Sequence, residues 1–312
     1  MLLVGCGATG GVLAQALVRA GVGRLTLVDR DVVELSNLPR QVLFDERHAQ
    51  AGTPKALAAA ESLARVGGPT DVVPVTAHVG AGNLGELAEG ADLLLDGTDN
   101  LETRYLLNDY ALEHEVPWIY AGVVGGAGLV LPIVPGASAC LRCLFPEPPP
   151  PGTLPTCDTA GVLLPAVGGV ASLAAGLALR LLVAPDTLEP ALVELDVWNG
   201  EVRRLGAPRD PDCPACARGE RTFLFDAPPE EPVVLCGRDT VQLPAGGRRA
   251  PDLESLAASL EGVASDLVRT RVMLRFTVEE LRLTLFADGR ALVEGTSDPD
   301  RARAVFDRTV GT

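Results

Sequence analysis

The chain has 312 residues, 47% of them hydrophobic and 21% charged, which excludes a disordered protein and allows one large domain or two ordinary ones. A formal charge of −15 excludes a nucleic-acid binder, because neutralising phosphates needs clustered Lys and Arg. Met1 leads directly into a strand-like run with no basic segment before it, so the expectation is a cytoplasmic protein without a secretory leader.

Taken in chain order, the first half alternates strands and helices in the pattern of a parallel sheet. Strands are predicted over residues 2–4, 24–28, 72–76, 93–95, 118–120 and 128–134, and helices over 9–20, 54–66 and 100–114. A proline-rich loop, 146–155, precedes an apolar run over 160–179 that is long enough to span a membrane. Pro165 and the small residues Gly168, Gly169, Ala174, Ala175 and Gly176 instead predict a helix packed closely against protein, with no membrane association. A hairpin over 192–197 and 202–205 turns through Asn199-Gly200. Composition shifts near 228–232, which divides the chain into residues 1–227 and a small α+β domain over 228–312. In the latter, strands are expected over 233–243, 271–276 and 281–286, with helices over 252–260 and 299–309.

Gly5-Cys6-Gly7-Ala8-Thr9-Gly10 fits G-x-G-x-x-G between a strand and a helix, where backbone N–H groups can approach phosphates at the helix N-terminus. Asp29 ends the second strand, where a ribose-binding carboxylate belongs. This much suits NAD, FAD or ATP equally. Of the 26 basic residues only Lys55 is a lysine, so a compact ammonium is expected to be required there.

Four cysteines form two C-x-x-C pairs, Cys140/Cys143 and Cys213/Cys216. Each pair puts two sulfurs on one tight turn, and together they predict a closed structural Zn²⁺ site, a Cys₄ clip. Cys6 reads as structural and Cys236 as buried or half-buried, and His48, His78 and His114 show no ligand spacing.

Asp29-Arg30-Asp31, Glu34 to Gln41 (ELSNLPRQ), Gly52-Thr53-Pro54-Lys55, and Leu95 to Asn100 (LDGTDN) leading to Arg104 follow the glycine turn in order. This series resembles the ThiF/MoeB/HesA family, relatives of the ubiquitin-activating enzymes, over residues 1 to about 220. The resemblance implies a Rossmann-like, doubly wound α/β sheet and an adenylyltransferase. Such an enzyme uses ATP to adenylate the C-terminal carboxylate of a ubiquitin-like sulfur carrier of ThiS or MoaD type, ending in Gly-Gly. It also implies a homodimer. Gly5, Gly7, Ala8 and Gly10 would form the phosphate turn and Asp29 would hold the ribose. Asn37, Arg40 and Lys55 would contact the triphosphate, and Asp99 would bind Mg²⁺ with Asn100 and Arg104 beside it. Cys157, after the proline-rich loop, would react with the activated carrier.

The plainer readings are surface cations for Arg40 and Arg104 and a helix N-cap for Asp99. Two departures stand out: Ala8 replaces a second glycine, and the sequence starts within the first strand. Relatives carry a preceding helix whose arginine reaches the partner's ATP. The alternatives are therefore a non-catalytic carrier-binding scaffold and a nicotinamide-dependent oxidoreductase, the second giving no reason for Lys55, Asp99 and the 37–40 run together.

Overall fold

The computed structural model describes residues 1–149, 160–226, 231–234, 239–245 and 251–311. Strand β1 (Leu2–Val4) is apolar at every position because both of its faces are covered. Leu3 belongs to one hydrophobic core with Leu13, Leu17, Ala58 and Val170, while Leu2 and Val4 belong to another with Tyr105, Leu107 and Trp118. The helices of the first core are α1 (Ala8–Ala20), α3 (Lys55–Ala64) and α7 (Leu164–Val183); those of the second include α5 (Leu101–Glu113). Shorter helices are α2 (Glu46–Ala51), α4 (Leu84–Leu87), α6 (Leu141–Leu144) and α8 (Thr222–Phe225).

Eight strands form one sheet in the order β3-β2-β1-β4-β5-β6-β7-β8. They are β2 (Arg24–Asp29), β3 (Asp71–Thr76), β4 (Leu94–Asp96), β5 (Trp118–Val124), β6 (Ala127–Ile133), β7 (Leu192–Asp196) and β8 (Glu201–Leu205). β3 to β5 in that order pair parallel, as the alternating pattern predicts, and β6, β7 and β8 extend the sheet antiparallel. The mixed sheet follows from short turns after β5 and β7, which contain Gly125 and Gly200 at φ 60° and 71°. The chain steps outward from β1 to β3 and then places β4 on β1's other side. The order reverses there, and α/β sheets bind ligands at the carboxyl ends of such strands.

The apolar run expected over 160–179 lies mostly in helix α7, Leu164–Val183, whose mean hydropathy, 1.9, would suit a bilayer, but Val167, Val170, Ala171, Ala174 and Ala178 are buried inside the protein. A Cβ at Gly169 would stand 2.5 Å from a Leu195 methyl, so glycine lets α7 pass β7 there without turning that side chain aside.

The chain divides into two compact units, Met1–Ala227 and Pro228–Thr312. The second holds an antiparallel sheet in the order β11-β12-β13-β14-β10-β9. Its strands are β9 (Val233–Val234), β10 (Thr240–Leu243), β11 (Ser265–Arg269), β12 (Met273–Val278), β13 (Leu281–Phe286) and β14 (Ala291–Glu294). Helices α9 (Leu253–Leu260) and α10 (Pro299–Val310), each capped by an aspartate (Asp252, Asp298), share a core with Phe276, Leu283 and Val293. The single strand expected over 233–243 is two antiparallel strands, with Val241 opposite Val234; the sequence between them carries the turn formers Gly237 and Asp239. β11 was not expected because its mostly exposed positions carry no apolar alternation.

Candidate functional site

The glycine turn is locked by three glycines. Gly5 has φ 89° and donates its N–H to Val28 O at 2.7 Å. A Cβ on Gly10 would lie 1.8 Å from Gly5 O, and one on Gly97 would lie 2.4 Å from the same oxygen. Glycine at these positions lets the first turn of α1 cross the end of β4. Gly7 caps α1 without a side-chain hydrogen bond, so the N-terminal N–H groups face the cavity lined by Gly5, Gly7 and Ala8. Gly10 supports the turn from behind and does not line the cavity.

Asp29 and Asp31 form the next wall. Asp29 accepts from Cys6 N at 2.7 Å and from Asp31 N at 2.8 Å. Burial pushes its pKa up, against the pull of Lys55. Lys55 is 5% exposed, and its Nζ donates to Asp31 Oδ2 at 3.0 Å. Burial works against the Lys55 charge, but Asp31 and Asp29 outweigh it and hold its pKa above the ordinary lysine value. This lysine is a fixed charge in the cavity wall. At the far end Arg30 Nη1 meets His78 Nδ1 at 3.3 Å, and both line the cavity.

β4 delivers the opposite wall. Asp96 is fully buried, accepts from Thr98 N and Oγ1 at 2.8 and 2.7 Å, and pairs with Arg104 Nε at 2.9 Å. Arg104 also donates to Thr98 O and Ala121 O and lies 5.2 Å from the centre of the Tyr120 ring. It is therefore no loose surface cation; burial opposes its charge and Asp96 overcomes that. Asn100, rather than Asp99, caps α5, accepting from Thr103 N at 2.8 Å. That leaves the exposed Asp99 carboxylate facing the cavity without a hydrogen bond among the described residues.

Asn37 and Arg40 come from one turn. The Asn37 side chain is fully buried, accepts from Glu34 N at 3.1 Å and does not line the cavity. Its carbonyl accepts from Arg40 N and Gln41 N at 3.1 and 3.0 Å, placing those two residues on the cavity wall. Arg40 Nη1 donates to Ser36 O at 2.8 Å.

Elsewhere in this unit the four paired cysteines converge, with all four sulfurs within 4.8 Å of one another. Sγ separations are 3.8 Å for Cys140–Cys143, 3.6 Å for Cys140–Cys213 and 3.4 Å for Cys143–Cys216. These exceed any disulfide and match the roughly 3.8 Å between sulfurs set ~2.3 Å from a tetrahedral ion. Burial pushes the Cys140 and Cys216 thiols up, the latter to about 11, so holding those two as thiolates calls for a cation. Helix α5 braces this cluster. Asn108 Oδ1 accepts from Leu141 N at 2.8 Å, and Asp109 Oδ2 accepts from Phe223 N at 3.0 Å.

The structure thus gathers Gly5, Gly7, Ala8, Asp29, Arg40, Lys55, Asp99, Asn100 and Arg104 around one cavity. Cys157 and Cys236 lie outside the described residues. Cys6 is buried in the turn, where burial and then Asp29 push its thiol well up. Asp31, Gln41, Asp96 and Thr98 were missed as site residues although each lies in a motif already noted. His78 carried no sequence signal. His48 closes a reciprocal cap with Asp45 on α2, and His114 stacks on Tyr110 with ring centres 4.2 Å apart.

The ThiF family model matches residues 1–215. A relative from Bacillus subtilis, the sulfur carrier protein ThiS adenylyltransferase, is 38% identical over 313 residues, covering 99% of this chain and 92% of its own. A Thermus thermophilus sulfur carrier protein adenylyltransferase is 39% identical over 224 residues, covering 69% of this chain and 81% of its own. Among solved structures, E. coli MccB with ATP superposes at a TM-score of 0.60 and 20% identity, over 70% of this chain and 66% of its own, a likeness of fold.

Proposed function

The chain belongs to the ThiF family, and we propose from that premise that its cavity binds ATP and adenylates the C-terminal glycine carboxylate of a ubiquitin-like sulfur carrier ending in Gly-Gly. The observation that carries this reading is the set of cations Lys55, Arg40 and Arg104 facing one cavity at the glycine turn. Attacker and target are both anionic in this reaction, so the barrier is largely electrostatic. A carboxylate oxygen of the carrier attacks the α-phosphorus, the new P–O bond forms, and the bond to the bridging oxygen breaks with its electron pair on departing pyrophosphate. Lys55 holds a charge that does not titrate near neutrality. Arg104, anchored by Asp96, and Arg40 add two more. Asp29 would orient the ribose, and Asn37 would act through the turn that sets Arg40.

The free Asp99 carboxylate, with Asn100 beside it, fits Mg²⁺, which when bound supplies charge compensation at phosphate oxygens. The sulfur spacing of Cys140, Cys143, Cys213 and Cys216 fits a structural Zn²⁺. Cys157 would take the activated acyl group, with AMP leaving, before sulfur replaces it. A cytoplasmic homodimer and a Rossmann-like residue 1–227 domain complete the proposal.

The test is ATP–pyrophosphate exchange with carriers ending in Gly-Gly, beside the same carriers lacking those residues. Exchange should need the intact tail and vanish in Asp99→Ala. ATP binding without exchange for any carrier would favour the scaffold; binding of NADH in place of ATP would favour the oxidoreductase.

A further inference from the structure

Gln41 belongs to a sequence motif but has no role in the scheme above. It is 5% exposed and lines the cavity beside Gly7. Its backbone is fixed, because Gln41 N donates to Asn37 O at 3.0 Å and its carbonyl accepts from Phe44 N at 3.3 Å. The side-chain Oε1 is buried and has no hydrogen-bond partner among the described residues. Leaving such an acceptor unpaired is costly, and an apolar side chain of the same shape would avoid the cost. The other end of the carboxamide therefore needs a use. Nε2 lies on the Gly7 side, where a Cβ on Gly7 would come 3.6 Å from it.

Gly7 sharpens the point. Its φ is −70°, and the Cβ it lacks would meet only this amide at ordinary contact distance. A Cβ there would clash with no protein atom. What the missing side chain provides is open space between the first N–H groups of α1 and the Gln41 amide, both donors.

We propose that Gln41 is a phosphate-contacting residue, its Nε2 donating to a non-bridging phosphate oxygen of ATP held in the gap at Gly7. The identification of that phosphate with the adenylation substrate rests on the function proposed above; the contact itself does not. Gln41 adds a directional donor without adding charge, beside cations that already supply charge.

The test compares the full-length parent with Gln41→Met, which keeps the shape and removes both polar ends, and Gln41→Glu, which sets a carboxylate against the phosphate. Calorimetric titration with adenosine and with ATP is the main readout. Gln41→Met should melt at or above the parent's temperature, bind adenosine unchanged and bind ATP about tenfold or more weakly. Gln41→Glu should lose more, and it carries the comparison if the Met variant does not fold. ATP affinity equal to the parent's in both variants would overturn the assignment. A lower melting temperature with equal loss for adenosine and ATP would also overturn it, because that marks a packing role. A parent that binds ATP but shows no pyrophosphate exchange would sink the adenylation reading, while the adenosine-against-ATP comparison would still decide Gln41.

Discussion

Gly10 and Gly176 both sit inside helices, so helix propensity alone predicts that alanine stabilises each by about 0.5–1 kcal/mol. The structure separates them. A Cβ at Gly176 meets nothing within 4 Å, so Gly176→Ala should realise that gain. At Gly10 the Cβ would stand 1.8 Å from Gly5 O and 2.8 Å from Gly5 C. The turn would have to retreat by about 1.2 Å to reach the 3.0 Å below which real Cβ contacts are essentially never seen. It has nowhere to go, because Gly5 N is bonded to Val28 O at 2.7 Å and Gly97 closes on the same oxygen from the other side. Overpacking of this kind costs about 1–3 kcal/mol and outweighs the propensity gain. In a unit of this size the net loss should lower the melting temperature by roughly 2–8 °C. Scanning calorimetry should show the two variants moving in opposite directions, and titration with ATP should show affinity lost only in Gly10→Ala. A Gly10→Ala protein that melts at or above the parent and binds ATP as the parent does would refute the interlocked-turn reasoning.

Asp96→Ala should cost roughly 3–5 kcal/mol, since it leaves the Arg104 charge buried and unpaired; parent-like urea unfolding would count against that pair. Lys55 has a folded pKa above the ordinary ~10.4, so its charge contributes fully below that pH and is lost only as pH rises through the raised value. Acylation at pH 8 should therefore spare its side chain in the folded protein and reach it once urea is added. Mass spectrometry reads this cleanly because no other lysine exists, and rapid labelling of the folded chain would contradict the fixed-charge assignment. Cys213→Ser should lower both bound zinc, measured by elemental analysis, and the melting temperature; no zinc in the parent protein would remove the metal assignment. Cys157→Ser should keep pyrophosphate exchange and abolish acyl transfer, and loss of exchange itself would place Cys157 in the first step.

Much of the candidate site was legible because the motifs whose residues line the cavity are short and local. The glycine spacing, Asp29 and Lys55 sit in short motifs whose backbone requirements are visible residue by residue. What could not be read locally was partnership across the sheet. Asp96 looked like one acid among several in a loop motif, and only the return of α5 over β4 shows it clamping Arg104. Asn37 looked like a ligand contact, yet its side chain turns inward and reaches the cavity only by placing Arg40 and Gln41. His78 has a neutral local context and gains its place from β3 lying beside β2. In the second unit the six-residue strands β12 and β13 were found, whereas β11, exposed on most positions, and the four-residue β14 were not.

The solitary lysine has a consequence for the product of the reaction. An acyl-adenylate reacts with any unprotonated amine, and the protein that makes it is the nearest bystander. This chain presents arginine wherever a surface cation stands, and guanidinium stays protonated and is not acylated under such conditions. Its one side-chain amine is 5% exposed and held protonated by Asp31 and Asp29. The activated carrier therefore finds no lysine on its own maker to form an isopeptide bond with, and remains available to thiol and sulfur chemistry.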